Sequence, residues 1–560
     1  MANEQLSFNL IDEPWIMART LRGDIVELSL LELFRQASGL QSLANDLPTQ
    51  DFALLRMLEA ILERSIVPKT YDFDRPSELW GALWKHDKLP LEDIEAYLSK
   101  WHGRFDLLDE KEPFMQVANM RATNGSVSEI KKLLADCPDG LPLFTLRAGK
   151  GVESIGFAEA ARWVVHTHAF DTSGIKTGVE GDKGVKGGKS YPIGTGWAGG
   201  LGGIYAEGQN LAQTLLLNLC LCADCSLAPD EFLDDEEDLP VWERPQAVPG
   251  DSGRGPSGYA DLYTWQSRRI LLKREGERIV GVVLSNGDRL EYQNMREYEP
   301  MTAWRRSSAQ EKKLKMPLVY LPYTHQADRS LWRGLSALLP ECQSGSDAFA
   351  PPGIVLWTGH LSSLNGSRQL QSDYTLRLHA TGFVYGVQSA TFTELVDDSL
   401  TLSAKLLSPE YGDAVDLVRQ CLNATDDAVR AYGQFANGLV LASGGDTPLA
   451  NNARTQAQAE AYYELDRYFR IWLAGLSGSE PDYLRHCEAD WHKVARDVLF
   501  GLGRRLVDAA DDKAIKGRKI KQGNREFWIS AGRAESQFIG RVNKILPDTE
   551  AEQAESDREG

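Results

Sequence analysis

Residues Gly187 to Ser190, within GVKGGKSYPIGTGWAGGLGG (184–203), carry the lysine and serine that end a nucleotide-phosphate loop. In the Walker A pattern, backbone N–H groups and the lysine hold the phosphates while the hydroxyl binds Mg²⁺. Here the first glycine of that pattern is replaced by Lys183, and Pro192 disfavours the helix that should begin at the serine. The nine glycines in these twenty positions therefore predict a loop whose backbone a ligand approaches closely.

Three cysteines, Cys220, Cys222 and Cys225, form the second group with possible chemistry. The segment Asn210–Cys225 is predicted to be a helix that is apolar on nearly all sides, where small buried cysteines are common. Because neither a second C-x-x-C pair nor histidines at zinc-finger spacing accompany them, no metal site is expected.

No pattern of a catalytic site stands out in the chain. His166 and His168, two residues apart on a predicted helix, point in different directions. The sequence contains neither a G-x-S-x-G nor an H-E-x-x-H pattern. We therefore predict a binding or assembly protein without a cofactor rather than an enzyme.

The composition bounds the class of protein. A chain of 560 residues, 42% hydrophobic and 25% charged, is typical of a soluble globular protein with two or more domains. Seven scattered cysteines, an N-terminus unlike a signal peptide and no apolar run near ~20 residues predict a cytoplasmic protein away from membranes. The net charge of −19 argues mildly against nucleic-acid binding by this chain alone.

The patterns of apolar residues predict an α+β fold with a large mixed α/β domain over residues 1–400. One helix is predicted in NDLPTQDFALLRMLEAILERSI, with Thr49 as its cap. A long surface loop is predicted from about Ser226 to Gly258. Strand-like segments are predicted in RRILLKREGERIVGVVLSNGDRLEY, with turns at REGE and SNGD.

Residues 401–546 are predicted to form an antiparallel four-helix bundle, because apolar residues recur there at alternating spacings of three and four. Residues 547–560 are predicted to be an acidic disordered tail. The strongest basic cluster of the chain lies between the last two helices and includes Lys516, Lys519 and Lys521. Such a cluster is either a solvated face or a surface that holds a phosphate backbone.

Several segments, in collinear order from about residue 8 to 545, resemble one family: the large subunits, called CasA, of the type I-E CRISPR surveillance complex Cascade. FNLIDEPWIMA (8–18) is similar to the N-terminal LID-WIPV strand of that family, and EPFMQ (112–116) to its HPFMQ element. The glycine-rich run followed by EGQNLAQTLLLNL resembles the family's glycine loop and next helix. TGFVYGVQSATF (381–392) resembles its GGYRNNQAS loop with one extra residue.

The resemblance implies a non-catalytic subunit that recognises the protospacer-adjacent motif on double-stranded DNA and begins strand separation. It implies three partners: target DNA, the other Cascade subunits with their CRISPR RNA, and a recruited helicase-nuclease. Guide RNA pairing then reads the target sequence, while the protein reads only the short motif. The other subunits supply much of the phosphate neutralisation, which removes the objection from the net charge.

The resemblance also implies which residues meet DNA. The glycine loop, with Gly187 and Gly188, enters the minor groove, and Lys186 and Lys189 hold flanking phosphates. The family's glutamine wedge, which splits the first base pair, falls on Gln388.

The other positions depart from the family pattern. The neighbours of the wedge differ, with Val387 in place of asparagine and Ser389 in place of alanine. A motif-reading lysine of the family falls on Arg289 or Arg296. Phe144 matches an aromatic residue that begins a loop in contact with the complex and DNA.

Two alternatives stay open at this point. One is an enzyme that uses the glycine-rich loop to bind a nucleotide. The other is a scaffold that binds only proteins.

Overall fold

The computed structural model describes residues 6–86, 88–138, 143–225, 228–233, 236–340, 348–522 and 525–548. The chain divides into two compact units, the first ending at Leu400 and the second beginning at Thr401. The predicted acidic tail lies, from residue 549 onward, outside the described residues. Within the described residues, every helix is too short or too polar to span a lipid bilayer.

The first unit mixes short helices with small sheets. Its helices are α1 (Leu30–Gln36), α2 (Pro48–Ile66), α3 (Pro76–Lys85), α4 (Leu91–Trp101), α5 (Lys150–Glu153), α6 (Phe157–Phe170), α7 (Leu211–Asn218), α8 (Tyr259–Tyr263), α9 (Ser308–Leu314) and α10 (Gly353–Ser362).

The strands of the first unit, the last of which runs into the second, are β1 (Ile16–Thr20), β2 (Ile25–Leu28), β3 (Leu40–Leu43), β4 (Ser128–Glu129), β5 (Lys176–Thr177), β6 (Lys189–Ser190), β7 (Gly203–Glu207), β8 (Cys222–Asp224), β9 (Ala228–Phe232), β10 (Arg268–Glu275), β11 (Arg278–Asn286), β12 (Trp304–Arg306), β13 (Tyr320–Pro322), β14 (Phe349–Ala350), β15 (Thr375–Tyr385) and β16 (Phe392–Ser403). The three-stranded sheets have the orders β2-β1-β3, β10-β11-β4, β13-β12-β14 and β16-β15-β7, and β5-β6 and β8-β9 are two-stranded. The predicted α+β class is confirmed.

Helix α2 is the centre of the first unit and is buried along nearly its whole length. Its neighbours are α4, α6 and α8. The predicted cap at Thr49 is wrong, because Leu47 is the N-cap and Thr49 lies inside the helix. The Thr49 hydroxyl is instead 3.0 Å from Nε2 of the buried His166 on α6, which satisfies both polar groups.

A buried ion pair fixes the position of α2. Both guanidinium Nη atoms of Arg56 donate to the carboxylate of Glu299, at 2.7 and 2.8 Å, and both side chains are at most 2% exposed. The same carboxylate accepts from the indole N–H of Trp197 at 2.7 Å and from the backbone N–H of Met301 at 3.1 Å. Each carboxylate oxygen of Glu299 therefore accepts two hydrogen bonds inside the core.

The predicted helix over 210–225 is wrong beyond Asn218. The side-chain amide of Asn218 donates to the Ala206 carbonyl at 2.7 Å and accepts from the Ala206 N–H at 2.9 Å, so the chain end of α7 is held against β7. After this point the backbone is extended, and Cys222 begins β8. The predicted surface loop over 226–258 is likewise interrupted by β9.

The described part of the second unit contains three long helices and a shorter fourth one near its end, and the predicted bundle arrangement stays a prediction. Its elements are α11 (Gly412–Ser443), α12 (Thr447–Gly475), α13 (Pro481–Asp508), α14 (Asp512–Lys516), β17 (Arg518–Gln522), β18 (Arg525–Ile529) and α15 (Ala531–Ile545). The aromatic stripes meet in its core: the Phe435 and Phe538 rings stack with centroids 5.1 Å apart, and Trp491 packs edge-on to Phe469.

We expect Arg56→Leu to lower the free energy of unfolding by about 3–5 kcal/mol, because it leaves the Glu299 carboxylate buried without its cation. Denaturant unfolding followed by tryptophan fluorescence measures the loss. Arg35→Leu is the control, since the Arg35–Glu95 pair is about half exposed and is worth less than about 1 kcal/mol. Equal losses in the two variants would contradict a special role for the buried pair.

Candidate nucleic-acid interface

The two ends of the glycine-rich segment meet at one point of the core, where a buried arginine is hydrogen-bonded to both of them. Arg268, at the start of β10, is fully buried, and its Nε donates to the Asp171 carboxylate. Its Nη2 donates to the carbonyls of Thr172 (3.0 Å) and Gly194 (2.8 Å). The N–H of Gly196 donates to the Asp171 carbonyl at 2.8 Å. Residues 171–196 therefore form a loop whose two ends are hydrogen-bonded together.

A second cation, Lys176, also pairs with Asp171 at this base. Lys176 Nζ lies 2.7 and 2.9 Å from the two carboxylate oxygens of Asp171. Burial alone would raise the pKa of Asp171, but Lys176 and Arg268 outweigh burial and hold that pKa below its usual value. The carboxylate therefore stays ionised, and two cations and one anion hold the base of the loop together.

Within this loop, Lys186 to Lys189 form a minimal β-hairpin with a two-residue turn, just where β6 begins. Strand β5 pairs with β6, and Lys186 and Lys189 exchange backbone hydrogen bonds of 3.0 and 3.2 Å. Between them, Gly187 (φ +57°) and Gly188 (φ +71°) both have the positive φ that a type I′ turn requires. The four residues are exposed, and a Cβ on Gly187 would meet nothing within 4 Å. The tip is thus bare backbone with a lysine on each side.

The backbone below the tip packs too closely for side chains. The N–H of Gly178 donates to the Gly188 carbonyl at 3.0 Å, and the Gly178 carbonyl accepts from the Thr123 N–H at 2.9 Å. A Cβ on Gly178 would lie 2.6 Å from the Gly188 carbonyl group. This close packing fixes the direction in which the tip projects.

The later glycines of the run serve a different purpose. A Cβ on Gly196, Gly199, Gly200 or Gly202 would come closer than 3.0 Å to residues of the same unit, among them Tyr385 and Tyr292. For these positions the expectation that glycine makes room for a ligand is wrong, because the protein's own core fills the space.

Gln388 lies in the loop that joins β15 to β16. The loop is closed by hydrogen bonds from Gly386 N–H to the Thr391 carbonyl and from Ser389 N–H to the Gly386 carbonyl, both 2.9 Å. Gln388 (φ +55°) and Ser389 (φ +53°) are left-handed, a conformation that costs non-glycine residues roughly 1–2 kcal/mol each. Val387 is 87% exposed, and Gln388 is exposed beside it. The loop therefore presents an apolar and an amide side chain to the outside.

The Gln388 loop and the glycine-rich hairpin share one base. The N–H of Ser173, two residues beyond Asp171, donates to the Ser389 carbonyl at 2.8 Å. The hydroxyl of Tyr385, at the end of β15, donates to the Phe170 carbonyl at 2.6 Å. The structure thus brings together two segments that lie about two hundred residues apart in sequence.

A polar pocket of about 210 Å³ lies at this shared base. Its lining includes Lys131, Lys132, Lys176, Thr172 and Thr391. Lys131 is paired with Glu129 at 2.6 Å and Lys176 with Asp171, so the lysine charges are partly compensated. The pocket adds hydroxyl and ammonium donors next to both loops.

The remaining candidates of the first unit border the same region. Arg289 and Arg296 flank Tyr292, whose ring stacks on Trp197 at a centroid distance of 4.7 Å. Arg289 is exposed and paired with Glu291, whereas Arg296 is half-buried. Phe144 is half-buried, and its ring lies 5.7 Å from Phe383 of β15.

The basic cluster of the second unit has a structure that the sequence analysis missed. Lys516 ends α14, and Lys519 and Lys521 lie on β17, paired with Trp528 and Glu526 of β18. Residues two apart on a strand share a face, so two lysines and the half-exposed Trp528 ring lie side by side. The alternation in Lys519-Ile520-Lys521 before Gly523-Asn524 was the signal for a hairpin. The tip, residues 523–524, lies outside the described residues.

Cys220, Cys222 and Cys225 meet at one point, unlike cysteines spread around a helix. Their sulfur atoms all lie within 4.8 Å of one another, and Cys222 and Cys225 are joined by a disulfide. The expectation that these cysteines lie on a helix is wrong, because Asn218 ends α7 before the first of them.

Comparison with known proteins gives consistent matches over nearly the whole chain. The family model of CRISPR-associated protein Cse1 matches residues 9–502. A curated protein of Thermus thermophilus, described as CRISPR-associated protein CasA/Cse1, is 28% identical over 541 residues, which cover 93% of this chain and 96% of that protein.

Solved structures agree with this match. The crystal structure of Thermobifida fusca Cse1 is 39% identical with a TM-score of 0.86, covering 98% of this chain and all of that chain. A chain of a structure described as a CRISPR RNA-guided surveillance complex has the same fold at 18% identity, with a TM-score of 0.67 over 96% of this chain and 99% of that chain.

Proposed function

Because this chain belongs to the family of CRISPR-associated Cse1 proteins, we propose that it is the non-catalytic large subunit of a type I-E CRISPR RNA-guided surveillance complex. In that role it recognises the protospacer-adjacent motif of double-stranded DNA through the minor groove and starts duplex opening for R-loop formation. It then recruits the helicase-nuclease that degrades the target. The other subunits hold the CRISPR RNA, whose pairing reads the target sequence.

The observation that carries the proposal is the exposed Gly187–Gly188 turn between two lysines. The minor groove of B-DNA is about 6 Å wide, so a hairpin tip without side chains enters it more easily than any other turn. Backbone donors and acceptors then meet the N3, O2 and N2 groups on the groove floor. Lys186 and Lys189, on one face of the hairpin, reach the phosphates that border the groove.

The shared base of the two loops supports a wedge at Gln388. Because Ser173 is hydrogen-bonded to Ser389, a hairpin seated in the groove holds the Gln388 loop at a fixed place on the same duplex. Val387 offers the apolar surface that other proteins insert between base steps. The flat amide of Gln388 stacks on an exposed base and bonds its edge.

Further residues are assigned accessory roles in the same proposal. Arg289 or Arg296 provides the motif-reading cation, and Phe144 contacts the complex and DNA. The exposed face of the second unit with Lys516, Lys519 and Lys521 holds DNA phosphates.

A nucleotide-binding enzyme is disfavoured by the geometry of the hairpin. In a phosphate-binding loop the lysine and serine open a helix, and its N-terminal N–H groups face the phosphates. Here Lys189 and Ser190 form strand β6, and Ser190 is buried. A scaffold that binds only proteins is tested directly: the complex is reconstituted with and without this chain, and its affinity is compared for duplexes that differ only in the motif. Equal affinities would favour the scaffold.

We expect Gly187→Asp to weaken binding of motif-bearing duplex by more than about 2 kcal/mol, since it adds both bulk and a negative charge in the groove. Gly187→Asn is the matched control, because it has the same shape without the charge. Both residues tolerate positive φ, and open space surrounds this position, so the hairpin persists in both. The expected order of affinity is glycine, asparagine, aspartate, and equal affinities would exclude the turn from the interface.

We expect Gln388→Ala to slow guide–target hybrid formation on intact duplex more than it weakens initial docking. A wedge repays part of an unstacking cost of a few kcal/mol per step, so a target already mismatched beside the motif should restore most of the rate. Gln388→Asn keeps the amide and suits the left-handed backbone, but its side chain is one methylene shorter. A defect in this variant would therefore come from the length of the side chain and not from backbone strain. An equal defect of Gln388→Ala on both targets would contradict the wedge.

We expect Lys516→Glu, Lys519→Glu and Lys521→Glu, made singly, to weaken DNA binding alike for all sequences. A plot of log affinity against log salt concentration has a negative slope, and each lost phosphate contact should make that slope less steep by about one unit. Lys544→Glu, an exposed lysine at the end of α15, is the control. A defect confined to particular motifs would argue that this face reads bases.

A further inference from the structure

The cluster Cys220–Cys222–Cys225 lies outside the candidate interface and has no part in the proposed function. Sγ of Cys220 lies 3.1 Å from Sγ of Cys225 and 3.5 Å from Sγ of Cys222. Cys220 and Cys222 are at most 2% exposed, and Cys225 is half-buried. A disulfide between Cys222 and Cys225 leaves the third thiol, in contact with both sulfurs, without a role.

The three sulfurs are held in place by the surrounding backbone. The Asn218 amide fixes the chain just before them, and β8 pairs with β9 through Cys222 and Phe232. The hydroxyl of Tyr259 on α8 donates to the Cys222 carbonyl at 3.2 Å. The side chains therefore converge because of the local fold, as the ligands of a structural metal site do.

We propose that Cys220, Cys222 and Cys225, as thiolates, bind one zinc-class divalent ion through their three converging sulfur atoms. Three sulfur ligands with a water molecule in the fourth position suit the tetrahedral preference of Zn²⁺. The ion would cross-link Cys220, which precedes β8, to Cys222 at the start of that strand and to Cys225 just after it.

Binding requires the dithiol form of Cys222 and Cys225. A thiol reductant of the glutathione or thioredoxin class supplies two electrons and two protons to the disulfide and is itself oxidised to a disulfide. The ion then displaces the protons of the three thiols as the sulfur–metal bonds form. Oxidation of the pair reverses the sequence and releases the ion.

The test uses the full chain purified under reducing conditions and loaded with Zn²⁺ or Co²⁺. We expect about one ion per chain by elemental analysis, and a thiolate-to-cobalt charge-transfer band with Co²⁺. Cys220→Ser and the double variant Cys222→Ser/Cys225→Ser should lose both signals. Cys137→Ser, at a buried cysteine elsewhere in the same unit, is the matched control and should keep them.

Thiol alkylation of the unaltered protein covers the case in which a variant fails to fold. Bound metal should protect these three cysteines, and a chelator should expose them to the reagent, as counted by mass spectrometry. The proposal is overturned if the reduced chain binds no stoichiometric metal, if the cysteine variants bind as well as Cys137→Ser, or if the pair remains a disulfide under reducing conditions.

Discussion

The buried guanidinium of Arg268 determines where the glycine-rich hairpin stands. It bonds the carboxylate of Asp171 on one side and the carbonyl of Gly194 on the other, so a loop of more than twenty residues begins and ends at a single point. Ser173, just beyond Asp171, then positions the Gln388 loop. Trp197, just beyond Gly194, joins the Arg56–Glu299 pair and so connects the hairpin to α2. The candidate interface is thus connected to a buried polar network of the unit.

Local patterns in the sequence were sufficient to predict the secondary structure of segments whose structure depends mainly on their own residues. The helices α2, α11, α12, α13 and α15 follow apolar spacing, and the β10–β11 strands follow from the REGE turn between them. The family resemblance indicated Gly187, Gly188 and Gln388. The proximity of the two loops could not be predicted, because it depends on single hydrogen bonds between residues such as Ser173 and Ser389, which local periodicity does not reveal.

The errors have equally specific causes. Asn210–Cys225 is uniformly apolar, and nothing in its pattern shows that the Asn218 amide will pair with Ala206 and end the helix. Within the glycine-rich run, composition cannot distinguish a glycine that leaves a surface bare from one against which a tyrosine packs. Gly187 and Gly200 are both glycines of this run, but open space surrounds Gly187, whereas Gly200 packs against Tyr292.

The two-residue turn at Gly187–Gly188 has a consequence for the timing of recognition. Glycine-rich segments usually lose much conformational freedom when they bind, which lowers affinity and slows the productive encounter. Here paired backbone hydrogen bonds and the contact of Gly178 with Gly188 impose the shape beforehand. If the turn reads duplex DNA as proposed, a search over many duplexes requires no refolding at each site. Non-matching DNA would then be sampled briefly and often, and discrimination would lie in the dissociation rate rather than in the association rate.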